Sequence, residues 1–260
     1  MIRVIFNQKG GVGKSSIAAN LAAISAAEGH STLLIDLDYQ CNSSQYLLGA
    51  EQPHEENTIA DFFSKSLKMG GKRSTEHYIT ETSFPNLHVI ASHPELAEIQ
   101  SRLEAKHKIY KFRDLITKLT DSYDRIYIDT PPAFNFYTLS ALIAADTVFI
   151  PFDCDDFSRQ ALYTLLENLE ETRDDHNENL DLGGIIVNQF LPRANHPQRI
   201  VNELRAEKLP LFNTLLGSSV KMHESHEIST PLIYMAPNHK LTLQFVELHQ
   251  EIEKKRRKKR

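Results

Sequence analysis

The chain has 260 residues, 41% of them hydrophobic, enough for one large α/β core and too few for a second independent domain of similar size. Its two cysteines, Cys41 and Cys154, are far apart and form no C-x-x-C pair, so neither a disulfide framework nor a zinc or iron–sulfur site is indicated, and two reduced thiols in a cytosolic protein are the favoured reading. The net charge is −5, and because the last seven residues are all basic the rest of the chain carries −12, so any attraction for nucleic acid or anionic lipid must be local.

The first element is IRVIF (Ile2 to Phe6), a β-branched and aromatic run with the length of a short buried strand. It leads straight into NQKGGVGKSS, residues 7–16, which leaves no place for a secretory signal. Gly13, Lys14 and Ser15 form the end of a phosphate-binding loop, G-x-x-x-x-G-K-[ST], but the position of its first glycine is held by Gln8. In its place stand Gly10 and Gly11, preceded by a second lysine, Lys9. Ile17, Ala18, Leu21, Ala22 and Ile24 then recur at helical spacing, and Gly29 supplies a stop. Strand, glycine loop and helix come in the order that phosphate binding needs. Backbone N–H groups close around phosphate oxygens, the helix N-terminus adds partial positive charge, Lys14 reaches the β- and γ-phosphates, and Ser15 offers its hydroxyl to Mg²⁺. The apolar run from Ile17 to Ala27 is interrupted by Asn20 and Ser25 and is too short to cross a bilayer.

A second strand, Thr32 to Asp36, brings Asp36 and Asp38 to its end. Residues 50–86, with Pro53, the pair Gly70–Gly71 and many charges, predict a surface excursion around one short helix near Ile59 to Leu67. There follow a strand at Leu87 to Ile90, helical periods at Glu95 to Leu103 and Tyr110 to Ser122, and a strand at Arg125 to Asp129 that Pro131 and Pro132 turn away. A carboxylate closing an apolar strand beside a phosphate loop can hold Mg²⁺ through water, and Asp36, Asp38 and Asp129 are placed for it. The remaining elements are a helix at Leu139 to Ala145, a strand at Thr147 to Phe152, a helix at Ala161 to Arg173 and a strand at Gly184 to Asn188. Residues 189–199, QFLPRANHPQR, read as a loop with two prolines and two arginines, Arg193 and Arg199. Near the end, Leu241, Phe245, Leu248 and Ile252 make an apolar stripe suited to packing on the chain's own core. The acids Glu247, Glu251 and Glu253 on its other face oppose anionic lipid. Alternating strands and helices predict a doubly wound α/β fold, a mostly parallel sheet with helices on both faces and the site at the carboxyl ends of the strands. One P-loop domain spans residues 1–253, and the basic tail, 254–260, is expected to be disordered.

KGGVGKS with its leading Lys9, the D-x-D of Asp36 and Asp38, and IDTPPAFNFYTLSALIAAD (Ile128 to Asp146) together resemble the ParA branch of the ParA/MinD family of ATPases with a deviant Walker A loop. The resemblance runs through almost the whole chain, ending before the tail. It implies ATP and Mg²⁺ as cofactors and a slow, partner-stimulated hydrolysis of ATP to ADP and phosphate. Gly10, Gly11, Val12, Gly13, Lys14, Ser15 and Ser16 would surround the phosphates, and Asn188 would read adenine. Lys9 would reach into the partner's site of an ATP-dependent homodimer, Asp38 would orient the attacking water, and Ser15, Asp36 and Asp129 would serve the metal. Tyr39 and Cys41 stand where the family commonly has proline and glycine. ParA-type members bind DNA non-specifically as ATP dimers and are released by a ParB-like or other cargo adaptor. In GSSVKMHESHE (Gly217 to Glu227) Lys221 matches the DNA-contacting position, with Arg193 and Arg199 as further candidates. The tail, Lys254, Lys255, Arg256, Arg257, Lys258, Lys259 and Arg260, would add phosphate contacts. The implied setting is the cytoplasm, on the nucleoid, and the implied task is partition or positioning of a plasmid, chromosome or other cargo. The alternatives are a MinD-like switch docking on membrane and a metabolic P-loop ligase or kinase. With the phosphate loop beginning at residue 9, an N-terminal helix-turn-helix reading an operator is not expected.

Overall fold

A computed structural model describes residues 1–68 and 73–259, with backbone only for 156–158 and 256–259; Gly70, Gly71 and Arg260 lie outside the described residues. Seven strands are described: β1 (Ile2–Ile5), β2 (Thr32–Asp36), β3 (Thr80–Glu81), β4 (Leu87–Ile90), β5 (Arg125–Asp129), β6 (Thr147–Asp153) and β7 (Asp181–Asn188). They form one sheet in the order β3-β4-β2-β5-β1-β6-β7, parallel throughout except for the β3–β4 pair. The described helices are α1 (Lys14–Ala27), α2 (Asn42–Leu48), α3 (Ile59–Ser66), α4 (Glu95–Ala105), α5 (Lys111–Leu119), α6 (Phe136–Ala144), α7 (Asp156–Asp175), α8 (Asn195–Ala206), α9 (Val220–Glu227), α10 (Leu232–Met235) and α11 (Lys240–Lys259).

Each central strand is apolar on both faces and divides its side chains between two cores, as a sheet covered on both sides requires. Val4, Leu33, Ile35, Ile126, Ile128 and Ile150 face the layer of α3 to α8. Ile5, Leu34, Tyr127, Phe149 and Ile186 face α1, α2, α10 and α11. The doubly wound fold is thus as the alternation of elements predicts.

Two stretches differ from the sequence reading, and in the first, residues 50–86, the excursion around α3 also returns to the sheet as the edge strand β3, antiparallel to β4. Residues 189–199 are not loop throughout, because α8 starts at Asn195 and takes Arg199 with it. Pro197 sits in the first turn, where its missing N–H has no helical partner to lose. At the other end of the chain, the backbone of α11 continues as helix to Lys259, into the basic run.

The apolar stripe Leu241, Phe245, Leu248 and Ile252 is buried against α1 and the sheet. Beyond it, Glu253 ion-pairs with the buried Arg3 of β1 and, at 2.9 Å, with Arg125 of β5. Arg3 also donates to the Tyr127 hydroxyl, 2.5 Å away. Two residues on from Glu253, the Lys255 ammonium lies 4.1 Å from the centre of the Phe212 ring. These contacts hold the start of the basic run on the domain.

Burial works to raise the Glu253 pKa, but Arg3 and Arg125 outweigh it and keep the carboxyl well below the usual carboxylate range. A depressed carboxylate pKa stabilises the fold above the unfolded value and loses that contribution as pH falls below about 4.3. Glu253→Gln is therefore expected to cost about 3 kcal/mol at pH 7, because it leaves Arg3 buried without its counter-charge. Urea unfolding at pH 7 and pH 3 checks this, with the gap between variant and parent narrowing at the lower pH.

Candidate nucleotide-binding site

Residues 7–13 leave β1 at the carboxyl edge of the sheet. Asn7 pins the loop, donating to the Pro151 carbonyl at 2.6 Å and accepting from the Lys9 N–H at 2.9 Å. Gly13 begins α1 with φ at 88°, in the left-handed region where a side chain is strained, and its carbonyl accepts from the Ile17 N–H. A Cβ on Gly13 would also collide with the Asn188 side chain, which donates to the Val12 carbonyl at 2.9 Å. Asn188, at the end of β7, is thus packed against the loop, and Gln189 donates to the Gly11 carbonyl at 3.0 Å.

The two lysines are placed differently. Lys14 is 6% exposed, its ammonium donating to the Lys9 carbonyl at 3.0 Å. Burial lowers its pKa, while the charges of Asp129 and Asp38 act in the opposite direction. Lys9 stands at the rim with its side chain 32% exposed, paired with Asp155 and 3.7 Å from Asp153 at the end of β6.

Three carboxylates converge beneath the loop. Asp36 is fully buried and accepts from Ser44 twice, from the N–H at 2.9 Å and the hydroxyl at 2.7 Å, and from the Asp38 N–H at 3.0 Å. Burial and the neighbouring Asp129 push its pKa up to about 8. Asp129 is pushed up to about 6 by burial, with the nearby hydroxyls of Ser15 and Ser43 acting in the opposite direction. One of its oxygens accepts from Ser43 at 2.5 Å, and the other is buried without a hydrogen-bond partner. Asp38 is 4% exposed, held by the Gln40 N–H at 3.0 Å, and burial raises its pKa in spite of Lys14.

Carboxylates packed this closely resist ionisation unless a cation joins them. The orphaned oxygen of Asp129, on a carboxylate that the Ser15 hydroxyl also approaches, fits Mg²⁺. Mg²⁺ commonly takes one or two protein oxygens and completes its shell with phosphate and water.

Sequence reasoning misses Ser43 and Ser44. They reach the carboxylates because the chain turns sharply after Asp38 through Cys41, at φ 57°, and enters α2. An Asn-Ser-Ser run just past a strand-end D-x-D is a helix-start signal that could find them. Asp153 closes β6 as Asp36 and Asp129 close their strands, but nothing local ties it or Asp155 to Lys9.

Beside the loop opens a cavity of about 300 Å³, lined among others by Gly13, Ser16, Asn188, Ser219, Met222 and His226. Its outer wall is α9, whose N-cap Ser219 accepts from the Lys221 N–H. The Lys221 side chain is 44% exposed and paired with Glu224. Arg193 lies between β7 and α8, and Arg199 pairs with Glu203 one turn along α8. Lys254 and Lys255 follow the Glu253 clamp at the opposite, amino edge of the sheet, where β1 and β5 begin. The structure therefore gathers the loop residues, Asp36, Asp38, Asp129 and Asn188 into one site and leaves the basic candidates dispersed. The side chains of Arg256, Arg257, Lys258 and Lys259 are outside the description.

A parallel sheet whose central strand feeds a glycine loop, with a buried lysine set against strand-end aspartates, is the architecture of the P-loop nucleoside triphosphatases. A family model described as an AAA domain matches residues 1–182. The chromosome partitioning protein ParA of Myxococcus xanthus is 32% identical over 231 residues, covering 88% of this chain and 79% of that protein. The chromosome-partitioning ATPase Soj of Treponema pallidum is 32% identical over 234 residues, covering 88% and 87%. In three dimensions, apo McdA of Cyanothece superposes with a TM-score of 0.84 at 20% identity, over 96% of this chain and 98% of that one. The chain belongs to the ParA/MinD family of P-loop ATPases, the partitioning and positioning ATPases.

Proposed function

We propose that this protein is an ATP-gated switch of the ParA type. Two copies close face to face on MgATP, grip DNA without sequence preference, and let go when a ParB-like or other cargo-borne partner stimulates slow hydrolysis; the cycle partitions or positions that cargo on the nucleoid, in the cytoplasm. The observation that carries this reading is the division between the two lysines. Lys14 lies under the loop against Asp38 and Asp129, where it serves its own subunit. Lys9 is held at the exposed rim by Asp153 and Asp155, where a second subunit could draw its charge across.

Each residue then has a physical task. The loop N–H groups and Lys14 neutralise phosphate charge, and Asp38, close enough to feel the Lys14 charge, holds the attacking water. Bound Mg²⁺ would neutralise charge between the phosphate oxygens; Ser15 would hold it directly, and Asp36 and Asp129 through water. Asn188 sits where the base would enter the cavity beside the loop. Lys9 supplies positive charge from the partner, so hydrolysis depends on assembly.

Burial of the α11 stripe favours DNA over membrane, because Leu241, Phe245, Leu248 and Ile252 would have to leave the core to meet lipid. No described helix is long and apolar enough to cross a membrane. The test sets duplex DNA beside anionic liposomes at one ionic strength, with ATP and with ADP. DNA recovery should be ATP-dependent, tighter in the dimer, and should weaken linearly in log salt. Lys221→Ala should weaken it on every sequence alike and reduce the salt slope by about 0.9 for each phosphate that the side chain neutralises. Truncation after Glu253 should flatten the slope further without changing partner-free hydrolysis. ATP-dependent recovery on liposomes and not on DNA would install the MinD-like reading instead.

A further inference from the structure

Ser16 follows the lysine and the metal-facing serine of the loop and also lines the cavity of about 300 Å³. It therefore stands between the place for the terminal phosphates and the room for the nucleoside, where the α-phosphate must pass. Its hydroxyl is 2.8 Å from Nε2 of His226, a residue 210 positions away on α9. The imidazole is itself held: it stacks on Tyr46 of α2, with ring centroids 4.0 Å apart and planes 22° from parallel. Tyr46 is 1% exposed, and its hydroxyl bonds to Ser225 and accepts from the Asn20 side chain at 3.1 Å. The same Asn20 amide donates to the Ser16 carbonyl at 2.8 Å, and its oxygen accepts from the Leu232 N–H at 2.9 Å. Ser16, His226, Tyr46 and Asn20 thus form a closed ring of contacts across α1, α2 and α9.

We propose that His226 is a positioning residue for the nucleotide: held by Tyr46, it donates from Nε2 to the Ser16 oxygen and so frees the Ser16 hydrogen for the α-phosphate. This rests on the reading of the loop as the ATP site. A hydroxyl that receives one hydrogen bond gives a stronger one, so a donor behind Ser16 strengthens its bond to a phosphate oxygen. The neutral imidazole is suited to the task because it can move its proton between ring nitrogens without changing charge. Burial, with a smaller contribution from His223, lowers the His226 pKa and so favours the neutral ring. Without nucleotide, the other tautomer lets Nε2 accept from Ser16, so the pair is satisfied in both states.

The competing account is that His226 merely staples α9 to α1, and two variants of the full chain separate them. His226→Phe keeps a ring on Tyr46 and loses the polar contact; His226→Gln keeps an N–H donor near the position of Nε2. Titration with MgADP should give a Kd about tenfold weaker for His226→Phe, the size of one hydrogen bond, and within about threefold of the parent for His226→Gln. In ATP hydrolysis the loss should fall on KM rather than kcat, since the reacting phosphate lies with Lys14 and Asp38. Ser16→Ala combined with His226→Phe should be no weaker than Ser16→Ala alone. In the parent protein, the ¹⁵N signal of His226 Nε2 should change from acceptor to N–H on addition of MgADP, a measurement that needs no variant to fold. Equal Kd for parent and His226→Phe, equal weakening in both variants, or a ¹⁵N signal that ADP leaves unmoved overturns the proposal. Failure of the parent itself to bind MgADP would overturn the ATP-site reading beneath it.

Discussion

Lys14→Ala is expected to abolish nucleotide binding, whereas Asp38→Ala keeps ATP and stops at the dimer. Lys14 is nearly buried and is the cation set against Asp38 and Asp129. Without it, phosphate entering the loop meets three carboxylates and no buried cation beside them. Loss of one such preorganised contact costs on the order of 10²–10³ in rate, and here the ground state suffers as well as the transition state. Asp38→Ala removes negative charge from the same place, so ATP affinity should hold or rise while hydrolysis falls by roughly 10³. Isothermal titration with ATP and single-turnover hydrolysis distinguish the two, and equal loss of ATP affinity in both variants would refute the division of roles.

Lys9→Ala should bind nucleotide as a monomer, fail to dimerise on ATP, and lose hydrolysis by a factor on the order of 10³ or more, the scale of a cation supplied in trans. The expectation follows from where Lys9 is held. Its pairs with Asp153 and Asp155 lie at the rim, so removing it leaves the loop and Lys14 intact. Two copies approaching through their carboxyl edges would then bring loops and phosphates together with less compensating charge. Sedimentation in ATP decides the matter: a normal dimer population for the variant would sink the trans role.

Much of this is legible in the sequence because parallel strands buried on both faces are short apolar runs with abrupt ends. Thr32–Asp36, Leu87–Ile90 and Arg125–Asp129 can be read to the residue for that reason. The phosphate loop is legible because few residues can do what Gly13, Lys14 and Ser15 do at that spacing. Contacts between distant segments are not, since nothing near Ser43 in sequence announces Asp129, and nothing near Ser16 announces His226. The prolines of residues 189–199 suggest loop although one of them is compatible with the first turn of α8. The like charges of the tail are legible in the sequence, but nothing near Glu253 reveals that two arginines from the sheet clamp it.

The turn through Cys41 has a consequence for the chemistry of the chain. Burial and the carboxylates of Asp36 and Asp38 push that thiol up to about 11, and burial with Asp153 and Asp155 pushes Cys154 to about 12. At neutral pH both are therefore protonated and hidden, the condition in which sulfur is slow to alkylate or oxidise. The candidate site thus keeps a sulfur close to its carboxylates with little thiolate to react. This also leaves the native chain nearly blank to thiol reagents. A dye attached through Val220→Cys, at a position 70% exposed, would mark α9 alone.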